Sequence, residues 1–205
     1  MHDTTGQNPE WPAEMRFFVS IRSPLLLELL YVRAAFAVPS TTNLPPAQLP
    51  VAKRAMASGL VELAQEWDDQ WQHAVAWELG AVDRESSIHA FLERPDRAAI
   101  AALLPTRWTD TDKAHFDRDL FNEWQAGLAI WNPPSFEDLP EQRSSSELRA
   151  AWERGLRIVI PLPIQGSFGH QVGTNGVVLS EASYNSPPEF SAILNTFGAR
   201  DSDVA

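Results

Sequence analysis

A chain of 205 residues with a net charge of −11 has the length of one ordinary domain, and its apolar residues, eight tryptophans among them, suffice for a core without a disulfide or structural metal. The acidic balance repels phosphate backbones and anionic membranes alike, and no Lys/Arg block occurs, so neither nucleic acid nor membrane is an expected partner. Cysteine is absent, which removes disulfides, thiolate metal sites and thiol catalysis and suits a reducing cytoplasm.

Residues 1–14 are polar and hold Gly6, Pro9 and Pro12, the composition of a loose arm. Residues 15–21 alternate as a strand does, with Phe17, Val19 and Ile21 of one parity. Ser23-Pro24 then reads as an N-cap followed by a first-turn proline, opening a helix that Pro39 stops after Val38. The run from Pro24 to Ala35-Phe36-Ala37 imitates a signal peptide with its cleavage site. Glu28 and Arg33 interrupt it, and Asp3, Glu10 and Glu14 precede it in place of a basic leader. A buried amphipathic helix is expected there instead of an export signal. Four prolines make residues 39–50 a stiff connector.

The longest helical periodicity covers 51–79, with Leu60, Leu63, Ala64, Trp67, Trp71, Ala74 and Val75 on one face, and Gly59 is a point at which it could divide into two helices. Shorter helices are expected near 87–93 and 97–104. A second long one is expected over 111–131, burying Phe116, Leu120, Trp124, Leu128 and Trp131. A polar loop over 133–146 follows, then a helix opened by the capping-box pattern Ser144-x-x-Glu147. There the period changes to two. Ile158, Ile160, Leu162 and Ile164 alternate with Val159, Pro161 and Pro163, a second strand covers 167–172, and Gly173-Thr174-Asn175-Gly176 turns into a third over 177–180. Ser186-Pro187-Pro188-Glu189 starts a last helix.

The expected fold class is therefore α+β: predominantly helical, with about five to seven helices and a small C-terminal antiparallel β-meander. One domain is expected over 1–205. It comprises the arm 1–14, a mainly helical part 15–132, the loop 133–146, and a helix–meander–helix part over 147–205. Because Pro161 and Pro163 remove two donors from the same edge of the 158–164 strand, that strand should lie outermost with its proline edge unpaired. Its isoleucines and Leu162 should face the helices, and any strand near 15–21 should join at the far side of the meander.

Two polar stripes could carry chemistry. Glu62, Glu66, Asp69 and His73 lie within about 60° of one another on the first long helix. Asp112, His115, Asp119 and Glu123 share a face of the second. Carboxylate and imidazole one turn apart make half of a divalent-metal site, so Glu66, Asp69, His73, His115 and Asp119 are the candidate metal ligands. Ligands in carboxylate-bridged bundles face the core, whereas both stripes oppose the apolar face, as the solvated side of any amphipathic helix does. A metal site needs the two stripes to meet.

The glycines of 166–176 fit hairpin turns rather than a phosphate loop. His170 and Ser167 lack a carboxylate partner and a nucleophile elbow. Trp67, Trp71, Trp124, Trp131 and Trp152 fit core stripes, while Trp11, Trp77 and Trp108 fall in loops or on polar flanks. No zinc-protease, P-loop, kinase, hydrolase, EF-hand or Rossmann signature is present. These observations leave the biochemical activity undetermined, and whether the chain is an enzyme with it. The leading expectation is an acidic, cytoplasmic interaction or regulatory protein without catalytic activity, binding a protein partner or a further copy of itself and needing no cofactor. The alternatives are a hydrolase-like enzyme using a divalent metal in the carboxylate/His cluster, or a small-ligand binding module with a Trp-lined pocket.

Overall fold

The computed structural model describes residues 2–3, 11–54, 60–81, 116–128, 135 and 137–199. The chain divides into two compact units, a helical one over Ser23–Leu128 and a sheet-bearing one over Met1–Arg22 with Ala129–Ala205. The architecture is α+β, and among the described residues no helix is long and apolar enough to cross a membrane. The helices expected at 87–93 and 97–104 lie outside the described residues.

In the helical unit, α1 (Pro24–Phe36) packs against α2 (Leu60–Leu79) and α3 (Arg118–Gly127). The first helix is not amphipathic as expected: residues 26–32 are all buried, Glu28 included, so it is enclosed round its circumference. It ends in a left-handed cap at Ala37 (φ 51°), which aims the Val38 N–H back at the Arg33 carbonyl over 3.0 Å. Ser23 occupies the cap position, but its hydroxyl donates to buried Glu78 Oε1 at 2.6 Å instead of capping.

The second helix starts later than its periodicity implied. Residues 51–54 are not helical, because the Arg54 N–H donates to the Ala35 carbonyl (2.7 Å) and its guanidinium to Asp117 Oδ2 (2.5 Å). Trp67 and Trp71 stack at 5.3 Å and 13° on the buried side, and the Trp67 indole donates to the Leu29 carbonyl at 2.7 Å. The third helix is shorter than expected, since Phe116 and Asp117 are not helical. Asp117 caps it by accepting from the Asp119 and Leu120 N–H groups. Tyr31 meets Phe116, Phe121 and Trp124 at ring separations of 5.4–5.8 Å.

The second unit holds β1 (His2–Asp3), β2 (Phe18–Val19), α4 (Pro140–Arg143), α5 (Ser145–Glu153), β3 (Ile158–Leu162), β4 (Gly169–Val172), β5 (Gly176–Ser180), α6 (Glu181–Asn185) and α7 (Pro187–Thr196). Its sheet runs β1-β2-β3-β5-β4 and is mixed, not an antiparallel meander. The β4–β5 hairpin forms as expected, around Gly173 at φ 57°. The long strand β3 does not join the hairpin at β4. It runs parallel to β5, and β2 runs parallel to β3 on its other side. The expected arm is also tied in, by β1 pairing with β2 and by Trp11, which packs edge-on against Phe17 at 5.4 Å.

The prolines explain where β2 stops. Phe18 N–H donates to the Arg157 carbonyl and Ser20 N–H to the Val159 carbonyl, so the odd-numbered positions of β3 face β2. The next donor due on that edge is the nitrogen of Pro161, which has no hydrogen. The ladder ends there. Thus β3 is an inner strand at its first two residues and an edge beyond them, and the strand near residue 18 joins the proline edge rather than the far side of the sheet.

Side-chain parity is also opposite to expectation. Val159, Val177 and Leu179 form the core with Leu148, Ala151, Phe190 and Leu194 of α5 and α7. Ile158, Ile160 and Leu162 alternate to the other face, where they too are buried. With apolar residues on both faces of β3, alternation carried no signal of which side the helices take.

Candidate interaction surfaces

The stripe on α2 forms as expected and lies open to solvent. Glu62, Glu66, Asp69 and His73 are all exposed, and the shallow depression over them is lined by this one helix, with Gln65 and Gln70 completing it. The helix is held from beneath by the Trp67–Trp71 stack and from one flank by Asp68. Asp68 accepts from Ser40 Oγ (2.7 Å), Thr41 Oγ1 (2.8 Å) and Thr41 N–H (3.1 Å). Burial opposes its ionisation, but these hydrogen bonds and the Arg33 charge outweigh burial and hold the carboxyl below its usual range. Arg33 lies over the Trp67 ring at 5.7 Å and donates to the Leu44 and Pro45 carbonyls. Nothing in the spacing of Ser40 and Thr41 announced this network, although Ser and Thr just past a helix end suit such side-chain turns.

Asp119 is exposed on the first turn of α3, and Glu123 one turn later is exposed as well. His115 and Asp112 lie outside the described residues, as do Trp108 and Trp131; α3 itself begins at Arg118. Among the described residues no group of three or more His, Cys, Asp or Glu side chains is placed to hold a metal ion. Trp67, Trp71 and Trp124 are buried within the helical unit, Trp11 within the other, and Trp77 and Trp152 are half-buried.

Sequence reasoning missed the buried acids. Glu28 is fully buried, with Arg118 Nη1 at 3.5 Å from Oε1. In the other unit Tyr184 donates its hydroxyl to buried Glu141. Burial, followed by the Glu141 charge and that hydrogen bond, pushes the phenol well above its ordinary value. For Glu28 the available signal was a charge inside an apolar run, which pointed to a partner without naming it, whereas Glu141 lies in a polar stretch that gave no such signal.

Ser167, the candidate partner of His170, is engaged elsewhere. Its hydroxyl and that of Ser183 both donate to Glu189 Oε2 at 2.8 Å, and Ser180 donates to Ser183 at 2.9 Å. The two hydroxyl donors hold Glu189 below its usual range against the opposing effect of burial. A carboxylate so stabilised is a poor base, and no imidazole stands between it and a serine, so the cluster ties the turn before β4 to α6 and α7 rather than activating a nucleophile.

His170 belongs to the remaining surface, the edge strand β4. Ser180 N–H donates to the Phe168 carbonyl, which fixes 168, 170 and 172 as the positions bonded to β5. Gly169 and Gln171 therefore turn their N–H and C=O groups outward along an edge that is open among the described residues. The side-chain direction at Gly169 points at α7, where a Cβ would sit 2.6 Å from Ile193 Cδ1 and Cγ1. Gln171 shares that side and accepts from the Gly198 N–H at 3.0 Å, so His170 projects from the opposite face, exposed. No family model, curated protein or solved structure matches this chain.

Proposed function

We propose that this protein is a non-catalytic interaction protein of the cytoplasm that engages its partner by accepting an added strand along β4. The observation that carries the reading is a contrast between two stretches of edge that no described strand pairs, one on β3 and one on β4. Folded proteins blunt such edges with prolines, charges or covering loops. On β3 the edge beyond β2 carries Pro161, and Pro163 follows directly after the strand's end. On β4 the sequence Gly169-His170-Gln171-Val172 has no proline and no charged residue, and its first three residues are exposed. An edge left pairing-competent in the same sheet that blocks another is suited to strand addition, in which main-chain bonds give affinity. The cysteine-free sequence suits a reducing compartment.

The test is a selection of extended peptides from a display library against the full chain. Amide hydrogen exchange then maps the bound site. Selected peptides should slow exchange at Gly169 and Gln171 and lose binding to a Gln171→Pro variant. Binders that all map elsewhere would refute the reading.

A further inference from the structure

We infer that the strand β4 accepts is β4 of a second copy, paired antiparallel about a two-fold axis through His170. This rests on the reading of β4 as a strand-accepting edge and adds the identity of the occupant.

The register follows from the backbone. The outward groups belong to Gly169 and Gln171, which flank His170 symmetrically. With His170 on the axis, Gly169 exchanges both of its hydrogen bonds with Gln171 of the second copy, and Gln171 does the same with that copy's Gly169. No outward donor or acceptor of the three residues is left over. The two imidazoles then stand as a non-hydrogen-bonded cross-strand pair, on the face of each sheet away from α7.

Charge favours a second copy. Two chains each carrying −11 repel unless the contact itself is neutral. Residues 158–180 contain no Asp, Glu, Lys or Arg, the opposite of the acidic stripe on α2. The uncharged stretch includes all of β3, β4 and β5, so the strand residues themselves bring no like charges together in a β4–β4 contact. A partner recruited through the acidic surface would need no such gap.

The absence of cysteine supplies the test. His170→Cys puts the only thiol of each chain on the proposed axis. A non-hydrogen-bonded antiparallel pair has a Cα separation of about 4.5 Å, inside the disulfide range of about 4.4–6.8 Å. Thr174→Cys, exposed in the hairpin turn, is the control, because the two-fold carries its copies apart. The full chain should sediment as a dimer at submillimolar concentration. Mild oxidation should cross-link His170→Cys at least roughly tenfold faster than Thr174→Cys, and Gln171→Pro, which removes an outward donor without breaking a backbone bond to β5, should sediment as a monomer that keeps the parent's circular dichroism and a cooperative melt, lowered by the lost Gln171–Gly198 bond and the lost association. A monomeric parent chain overturns the inference, and so does a dimer in which the two thiols cross-link equally. If selected peptides protect Gly169 and Gln171 on a chain that stays monomeric, the edge accepts a foreign strand: this inference fails and the proposed function stands.

Discussion

Gly169 has a steric requirement that a single methyl group tests. A Cβ built there lies 2.6 Å from Ile193 Cδ1 and Cγ1 and 3.1 Å from Cγ2, against an ordinary carbon–carbon contact of about 3.5–4.0 Å. Both branches of the isoleucine straddle the added atom, so rotating χ1 exchanges one clash for the other, and β-branched side chains in helices hold one χ1 rotamer in any case. Relief must come from moving α7 away from the sheet by roughly an ångström, at the cost of overpacking, about 1–3 kcal/mol. Gly169→Ala should therefore lower the urea midpoint at unchanged slope and lower the Tm by roughly 2–12 °C for a chain of this length. The diagnostic is a double-mutant cycle. Ile193→Ala alone removes a half-buried side chain for roughly 1–2 kcal/mol. In that background Gly169→Ala should cost less than about 0.5 kcal/mol, giving a coupling of about 0.5 kcal/mol or more. Additive effects, or a Gly169→Ala chain as stable as the parent, would show that α7 does not press on this residue. All four proteins are compared at one dilute concentration, so that association does not enter.

Ala37 holds a left-handed conformation that costs an L-residue about 1–2 kcal/mol and a glycine nothing, while glycine adds about 0.5–1 kcal/mol of unfolded-state entropy. Ala37→Gly should raise stability by up to about 1 kcal/mol in urea denaturation; a loss would contradict the cap. The chain's two tyrosines both ionise above the ordinary value of 10.0, Tyr31 through burial moderated by Arg54 and Tyr184 through burial reinforced by Glu141. In the native state both should be less ionised at pH 10 than in the unfolded chain, which is about half ionised there. Their stabilising contribution is thus complete below pH 10 and falls as pH rises above it. Ultraviolet titration showing half of the native tyrosinate signal at pH 10 would contradict this. Asp68→Ala removes the acceptor of the Ser40 and Thr41 hydroxyls and should cost about 1 kcal/mol. The loss should come with faster amide exchange at Thr41, measured by NMR; unchanged exchange would dissociate Asp68 from that turn. Equilibrium dialysis against zinc should leave no stoichiometric ion on Glu66, Asp69 and His73, and retention abolished by His73→Ala would restore the metal-enzyme alternative.

Features fixed by a few consecutive residues were legible in the sequence. The Gly173–Gly176 turn, the proline-started helices at Pro24 and Pro187 and the tryptophan stripe of α2 all formed. Serine caps were legible only by position. Ser23 and Ser144 stand where a cap should, but Glu78 takes one hydroxyl and Ser191 binds the other, competitors 55 and 47 positions away. Strand order was hidden for the same reason. Pro161 and Pro163 do strip one edge of donors, but nothing local reveals that a two-residue strand from the far N-terminal part ends where the first proline begins. Of the candidate residues, the α2 stripe was readable because helical spacing alone sets it. The β4 edge was not, because an edge exists only once the order of the strands is known.

The parallel pairing of β2 with β3 also sets a timetable for the chain as it is made. Arg16, whose carbonyl receives the Trp152 indole, precedes that partner by 136 positions, and at about 5–20 residues per second the ribosome needs roughly 7–27 s to cover the interval. For that time the strand at Phe18–Val19, with Met15 and Phe17 beside it, has no sheet to enter. Ser23–Leu128 is contiguous and can fold meanwhile. The apolar segment ahead of it must wait, so nascent chains stalled before residue 158 should be the form of this protein most dependent on a chaperone.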